Sequence, residues 1–285
     1  MPGLFCLFFI GVIFQLTWPE NALAWGPGVH TMIGLSSLNE VSLLLPSIAR
    51  MITSFPLEYL YGSLAADFFI GKSRRKKRGN PHNWEGGFRF LREASDDREA
   101  SYAFGFLSHL AADVVAHNFF VPNLTNAYPA RRRMGHLYWE IKADYLVGPW
   151  YTSVAKDVLS MDHRTCDELL TMIAGRRGNG LKAKKHLFTQ SVRLSDYVYS
   201  TQDLFFSGKA VRLEMFQKNL ALMVDLSCRV AKDFLTHPES SPCLLYNPVG
   251  RRGACLTTRK RFSVSMLYAN PLIRRFTVDP EHLRP

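Results

Sequence analysis

The sequence predicts an all-α protein, a multi-helix bundle with an irregular C-terminal tail. Apolar residues recur at helical spacing along most of the chain up to residue 236. No convincing alternation of apolar and polar residues, the pattern of half-buried strands, occurs before residue 260. Hydrophobic residues make up 47% of the 285 residues, which is enough for a large core and excludes disordered and collagen-like classes. We therefore expect one domain, residues 25–236, between a leader (1–24) and a basic tail (237–285).

The first 24 residues have the composition of a signal peptide. An apolar run, LFCLFFIGVIFQL, is followed by a polar stretch and then by Ala22-Leu23-Ala24, a small-x-small cleavage site. Cleavage after Ala24 makes Trp25 the first residue of an exported chain, either periplasmic or secreted. A short membrane anchor is the alternative, because residues 1–3 carry no Lys or Arg. About thirteen apolar residues are, however, too few to cross a bilayer comfortably.

Start and stop signals divide the bundle into helices. Pro56 opens one helix, the acidic Ser95-Asp96-Asp97 caps the next long one, and Pro122 is expected to end it. Gly148-Pro149 ends the following helix, and a Gly-rich loop covers residues 175–180. The tail contains one candidate strand, residues 261–268. The predicted helices, in order, cover residues 31–40, 41–53, 57–66, 88–94, 98–120, 130–147, 153–159, 165–174, 182–198 and 208–235.

Charge and cysteine content leave alternatives open. Removing residues 1–24 takes away Glu20 and no base, which raises the net charge from +11 to +12. This charge favours anionic partners, phospholipid or nucleic acid, although basic clusters such as residues 74–78 are also typical of solvated loops. The mature chain keeps four cysteines, which in an oxidising compartment can form two disulfides. Cys243 with Cys255 is the expected pair, and the others are Cys166 and Cys228.

The long helix predicted over residues 98–120 carries three polar groups at four-residue spacing, His109, Asp113 and His117. This spacing puts them on one face of a helix that is otherwise apolar. His136 and Glu140 repeat the spacing on the next helix. Imidazole and carboxylate groups at i and i+4 present two donors to one metal ion. The outer histidines of the first set are separated by a rise of about 12 Å, so we expect a multinuclear site with Asp113 between two ions.

Each of these groups also has a structural interpretation. A single buried histidine is more often hydrogen-bonded to a backbone carbonyl than bound to metal. Two such pairs on neighbouring helices favour metal over that alternative. Four other histidines stand in polar contexts and are predicted to lie on the surface: His163, His186, His237 and His282.

Five motifs, in this order along the chain, resemble those of the zinc-dependent phospholipase C family and, more distantly, of the S1/P1-type nucleases. The resemblance covers about residues 25–150 and implies a helical bundle of the phospholipase C/P1 nuclease type. The motifs are WGPGVHTMIGLSSL, YGSLAADFFIG, PHNWEGG, AFGFLSHLAADVVAHNFFVPN and GHLYWEIKADYLV.

The resemblance also implies up to three zinc ions. Trp25 would ligate through its free α-amino nitrogen and carbonyl oxygen, together with His30, and would share Asp113 as a bridge. Asp67, His82 and His109 would complete a second ion with Asp113. The third ion would be held by His117, His136 and Glu140.

This sequence departs from the family pattern at one ligand. In the family the histidine after the bridging Asp comes six residues later, whereas here that position is Phe119 and the candidate is His117. Other positions have alternatives: residues 25–30 can form a capped turn, and Asp67 can be a helix-terminal cap. Asp144, one turn past Glu140, is either a residue that supports a ligand or a surface acid.

The function implied is zinc-dependent hydrolysis of a phosphodiester. The expected enzyme is a phospholipase C that cleaves glycerophospholipid at a membrane surface into diacylglycerol and a phosphorylated head group, with Asp67 as general base. The alternatives are an S1/P1-like single-strand nuclease and a non-enzymatic lipid- or metal-binding relative. No protein partner is evident. Five aromatic residues either line a head-group pocket or belong to the core: Trp84, Phe119, Phe120, Tyr138 and Trp139.

Overall fold

The computed structural model describes residues 25–69, 81–127, 135–175, 178–193 and 210–250. These residues form a bundle of helices and contain no strand, so the all-α prediction is confirmed for this part of the chain. The signal peptide, the candidate strand at 261–268, Cys255 and His282 lie outside the described residues, as does the side chain of His136.

Many of the described helices follow one another directly or after a few residues. A π-helical turn, Ala116–Phe120, joins α5 to α6, and short 3-10 turns cover Val41–Leu43, Ala66–Phe69 and Pro242–Leu245. The helices are α1 Pro27–Asn39, α2 Pro46–Ser54, α3 Pro56–Ala65, α4 Trp84–Glu93, α5 Asp97–Val115, α6 Val121–Ala127, α7 Gly135–Val147, α8 Pro149–Ser160, α9 Arg164–Ala174, α10 Gly178–Arg193 and α11 Ala210–Thr236.

Local capping chemistry explains several helix starts. Proline occupies the first turn of α1, α2, α3 and α8, where its missing N–H costs no hydrogen bond. The side chain of Asp96 caps α5 by accepting a hydrogen bond from Glu99 N at 2.8 Å, as the acidic break predicted. Asn83 caps α4 by accepting from Gly86 N at 2.9 Å. His82 therefore lies directly before a fixed helix start.

Helix α5 is the centre of the bundle. Every residue from Ser101 to Val115 is buried, and α3, α4 and α11 pack around it. By length and composition the continuous helical stretch Asp97–Leu124 is apolar enough to cross a membrane, but 89% of its most apolar window is buried inside the protein. In this bundle it is the core helix.

Helices α3 and α5 cross in direct backbone contact. A Cβ added at Gly105 would lie 1.9 Å from Tyr59 O, and one added at Gly62 would lie 2.0 Å from Tyr102 O. No side chain fits at such distances, so the two glycines determine how closely the helices approach. This crossing brings Asp67, in the 3-10 turn after α3, next to His109 in the middle of α5.

Pro122 does not end the long helix, contrary to the sequence prediction. The chain passes through the π-helical turn and continues as α6. The N–H of Val121 bonds to Ala116 O, one residue wider than in an α-helix, and Pro122, which has no N–H to donate, follows directly. The wider turn therefore accommodates the proline ring within a continuing helix.

Two further predictions are wrong. Within the described part of the chain, Cys166 on α9 and Cys228 on α11 are buried thiols that form no disulfide. Burial raises the pKa of Cys166 to about 12. His163 is buried rather than exposed, because its ring stacks on Tyr61 with centroids 3.7 Å apart and its Nε2 lies 2.7 Å from Val158 O.

The helix crossing can be tested with Gly105→Ala. The added methyl group overlaps the backbone of α3, so the helices must separate, and we expect the free energy of unfolding to fall by about 1–3 kcal/mol or more. Gly180→Ala is the matched control, because a Cβ there meets nothing within 4 Å, and its effect should stay below about 1 kcal/mol. Urea unfolding of both variants measures the difference. Equal stability of the two variants would contradict the assigned contact.

Candidate metal centre

Five buried side chains from four parts of the chain meet beside the middle of α5. Their relative exposures range from 1% to 6%. The backbone elements are the start of α1, the 3-10 turn after α3, the residue before the cap of α4, and α5 itself. The residues are His30, Asp67, His82, His109 and Asp113.

Asp113 is the centre of this group. Its Oδ1 lies 3.4 Å from His30 Nε2, and its Oδ2 lies 3.2 Å from His109 Nε2 and 3.4 Å from His82 Nε2. Three imidazoles from three elements thus present the same ring nitrogen to one carboxylate. The four-residue spacing of His109 and Asp113 on α5 accounts for one of these contacts, and the tertiary fold supplies the other two.

Two overlapping sets of donors have metal-binding geometry. His30, His109 and Asp113 form one set, and Asp67, His82 and His109 form the other, with the ligand atoms of each set within 4.8 Å of one another. Asp67 Oδ1 lies 3.5 Å from His109 Nε2, and the Nε2 atoms of His82 and His109 are 3.0 Å apart. Imidazole nitrogens combined with carboxylate oxygens are a donor set typical of zinc.

Several of these donors are buried without a hydrogen bond. Among the residues that the structure describes, neither ring nitrogen of His30 and neither carboxylate oxygen of Asp67 or Asp113 has a hydrogen-bond partner, and the same holds for Glu140 Oε1. Each such group costs roughly 1–3 kcal/mol when it is left unsatisfied. Native proteins rarely retain buried polar groups in this state. Zinc ions bound among these groups would satisfy most of the unpaired atoms, so the residues fit zinc.

The protonation states follow from burial and mutual charge. Burial raises the pKa of Asp67 well above its ordinary value, and the charges of Asp113 and Asp144 add to this. Burial lowers the pKa of His109 to about 3, which keeps the imidazole neutral, as a metal ligand must be. Burial also opposes ionisation of Asp113, but attraction to His109 and the other histidines lowers its pKa well below the ordinary value. Asp113 is therefore the anion of the centre.

His117 also faces this centre. Its Nε2 lies 3.9 Å from Asp113 Oδ2, and the ring is 12% exposed. It belongs to the π-helical turn, which is held by two hydrogen bonds from Asn118 Nδ2, to Val114 O at 2.9 Å and to Asn247 O at 3.0 Å. Gly250 packs against this turn as well, because a Cβ there would lie 3.1 Å from His117 O.

The third predicted ion site is described in part. Glu140 is buried at 3% exposure, and burial together with the charge of Asp67 raises its pKa well above the ordinary value. The structure thus shows Glu140 buried and His117 directed at Asp113. Joint coordination of one ion by these residues and His136 stays a prediction.

Trp25 lies just before α1, and Asp144, on α7, contacts the start of α1. The Trp25 indole is fully buried, stacks on Phe120 with centroids 4.5 Å apart, and donates a hydrogen bond from Nε1 to Ser227 Oγ at 3.0 Å. Asp144 is buried and accepts hydrogen bonds from the backbone of α1, so it is not a surface acid. Burial raises the pKa of Asp144 to about 7, against the lowering effect of these hydrogen bonds. The sequence left a supporting role for Asp144 open, but its partner on α1 could not be found from sequence spacing.

The aromatic residues that could have lined a head-group pocket belong largely to the core. Phe119, Phe120 and Trp139 are each less than 5% exposed. Trp84 is half-buried, stacks on Phe234 with centroids 5.8 Å apart, and donates from Nε1 to Tyr246 O at 2.7 Å. Tyr138 lies outside the described side chains.

Comparison with known proteins gives one match. A family model described as zinc dependent phospholipase C matches residues 29–176, which is more than half of the chain. The matched stretch includes all five residues of the centre together with His117 and Glu140. Searches of curated proteins and of solved structures returned no match.

The role of Asp113 predicts the effect of Asp113→Asn. This change removes the negative charge that faces three imidazoles, so we expect zinc affinity to fall by more than the roughly 10- to 100-fold typical of losing a group that only supports a ligand. Zinc per chain and competition with a chelating dye measure the effect. Asp162→Asn is the control, since the side chain of Asp162 is 73% exposed. Wild-type zinc affinity in Asp113→Asn would rule out a bridging role.

Proposed function

Because the chain belongs to the zinc-dependent phospholipase C family, we propose that it is an exported phosphodiesterase that cleaves glycerophospholipid into diacylglycerol and a phosphorylated head group. The observation that carries this proposal is the buried anion of Asp113 facing the imidazoles of His30, His82 and His109. Among the described residues, several nitrogen and oxygen atoms around this carboxylate have no hydrogen-bond partner, so they are suited to bind cations. Cations at such a site suit a substrate whose reacting group is an anionic phosphodiester.

Zinc bound at this centre would supply an acidified water and positive charge for the phosphate oxygens. Within the protein, Asp67 has both carboxylate oxygens without a hydrogen bond and a pKa raised by burial. A carboxylate whose oxygens are not engaged elsewhere, beside the residues that would hold zinc, is placed to accept a proton, which supports Asp67 as general base. Neutral His109, 3.5 Å from Asp67, leaves that carboxyl group able to take the proton.

Phospholipid is favoured over nucleic acid as substrate. The matching family is named for phospholipase C activity. A nuclease of this kind would use aromatic faces to stack on unpaired bases, but Phe119, Phe120 and Trp139 are packed in the core. The net charge of +12 expected after cleavage is compatible with either anionic substrate. The non-enzymatic alternative has less support, because the donors of both metal sets are present.

The substrate assignment is tested with phosphatidylcholine vesicles and single-stranded DNA, assayed side by side with the zinc-loaded mature protein. We expect release of phosphocholine, its loss after treatment with a strong chelator, and its return when zinc is added. No release of nucleotides is expected under the same conditions. Nucleotide release without phosphocholine release would support the nuclease instead, and neither product with zinc bound would support a binding protein.

Export processing is proposed to complete the centre by freeing the α-amino group of Trp25. The buried, hydrogen-bonded indole fixes this residue directly before α1, five positions from His30. The chain that begins at Trp25 should therefore bind one more zinc ion than the same chain with an added Met before Trp25. Metal analysis and mass spectrometry of the N-terminus check this. Equal zinc content in both proteins would show that the α-amino group is not a ligand.

A further inference from the structure

The carboxylate of Asp144 caps α1 from a distant part of the chain. Helix α1 starts with Gly26 as its N-cap and has neither a capping side chain nor an acidic residue in its first turn. Asp144 Oδ2 accepts a hydrogen bond from Gly28 N at 3.0 Å, and Oδ1 accepts one from Val29 N at 2.9 Å. A buried carboxylate thus satisfies two N–H groups that a helix start leaves unpaired. Its negative charge also complements the positive end of the helix dipole.

The backbone at the start of α1 is shaped to receive this carboxylate. A Cβ added at Gly26 would lie 2.4 Å from Asp144 Oδ2. A Cβ added at Gly28 would lie 2.8 Å from Thr152 Oγ1 and 3.1 Å from Asp144 Cγ. Glycine at both positions lets the chain approach the carboxylate closely enough for both hydrogen bonds.

One of the residues beside this cap, His30, belongs to the candidate metal centre, and the other, Trp25, is a proposed ligand. Trp25 directly precedes Gly26, and His30 directly follows Val29. The first helical hydrogen bond of α1 runs from His30 N to Gly26 O at 3.1 Å, so the capped turn contains His30 itself. Asp144 is also one turn past Glu140 on α7. One carboxylate therefore sets the position of the α1 ligands relative to α7.

We propose that Asp144 is a positioning residue that holds Trp25 and His30 in place for the ion they share with Asp113. Both oxygens of Asp144 already accept hydrogen bonds from α1, so it orients ligands rather than joining them. The proposal rests on the zinc centre of the proposed function but not on the substrate. Groups that orient metal ligands typically change metal affinity by roughly 10- to 100-fold when they are removed.

The proposal is tested by zinc binding to Asp144→Asn and Asp144→Ala in the mature chain. Asparagine keeps one acceptor oxygen and loses the charge, whereas alanine removes both acceptors, so we expect a graded loss of affinity for one ion, with Asp144→Ala the weaker binder. The other zinc ions should bind as in the wild type. Affinities are measured by chelator competition at a temperature where thermal unfolding shows every variant folded.

A second variant disturbs the same contact through a change at the start of α1. Gly26→Ala leaves Asp144 in place, but its Cβ overlaps the carboxylate, so the same single ion should bind more weakly. Gly180→Ala is the matched control, because it adds a methyl group in open space and should leave zinc affinity unchanged. Loss of zinc in Gly26→Ala without loss in Gly180→Ala supports the proposal.

A double variant separates positioning from general destabilisation. In His30→Ala one of the two positioned ligands is already absent, so adding Asp144→Ala should lower zinc affinity by less than the sum of the two single losses. If Asp144 only stabilises the fold, its variants lower the unfolding midpoint, yet the folded protein binds zinc with wild-type affinity. That result, or additive losses in the double variant, would overturn the proposal. These zinc-affinity results do not depend on which phosphodiester the enzyme cleaves, so they test the role of Asp144 separately from the substrate.

Discussion

The structure depends on one constraint, the burial of the Asp113 carboxylate inside an apolar helix. A buried charge is tolerated only when opposite charges or strong hydrogen-bond donors surround it. Here three imidazoles face the carboxylate. Among the described residues, several nitrogen and oxygen atoms around it have no hydrogen-bond partner. The central helix α5 therefore carries polar side chains that a bound cation would satisfy. We therefore expect metal binding to stabilise the folded core.

The geometry of the centre follows from the packing of the backbone. Gly62 and Gly105 allow α3 and α5 to cross in direct contact. Because of this crossing, Asp67 after α3 and His109 on α5 come within 3.5 Å. The start of α4 is fixed by Asn83, which sets His82 beside the same side of α5. The ligands are held by helix ends and crossings, which are rigid parts of the bundle.

The sequence predicted what depends on short spacing. The helical class, the central helix and the pairing of His109 with Asp113 all follow from periodicity. His30, Asp67 and His82 were assigned only through the family resemblance, because their contacts join segments separated by long stretches of chain. Contacts over similar distances explain why His163 was wrongly expected on the surface, since its burial depends on Tyr61, and why the alternatives for Asp144 stayed open, since it contacts α1, 116 residues earlier. The continuation past Pro122 depends on a π-helical turn that residue propensities do not reveal.

That π-helical turn has a structural consequence. A π turn is equivalent to one residue inserted into an α-helix, and the extra residue is absorbed locally. Residues before Ala116, including Asp113, and residues after Phe120 can therefore keep their packing while the side chains within the turn change direction. The direction of the His117 side chain, which lies within the turn, can therefore change without repacking of the helices on either side.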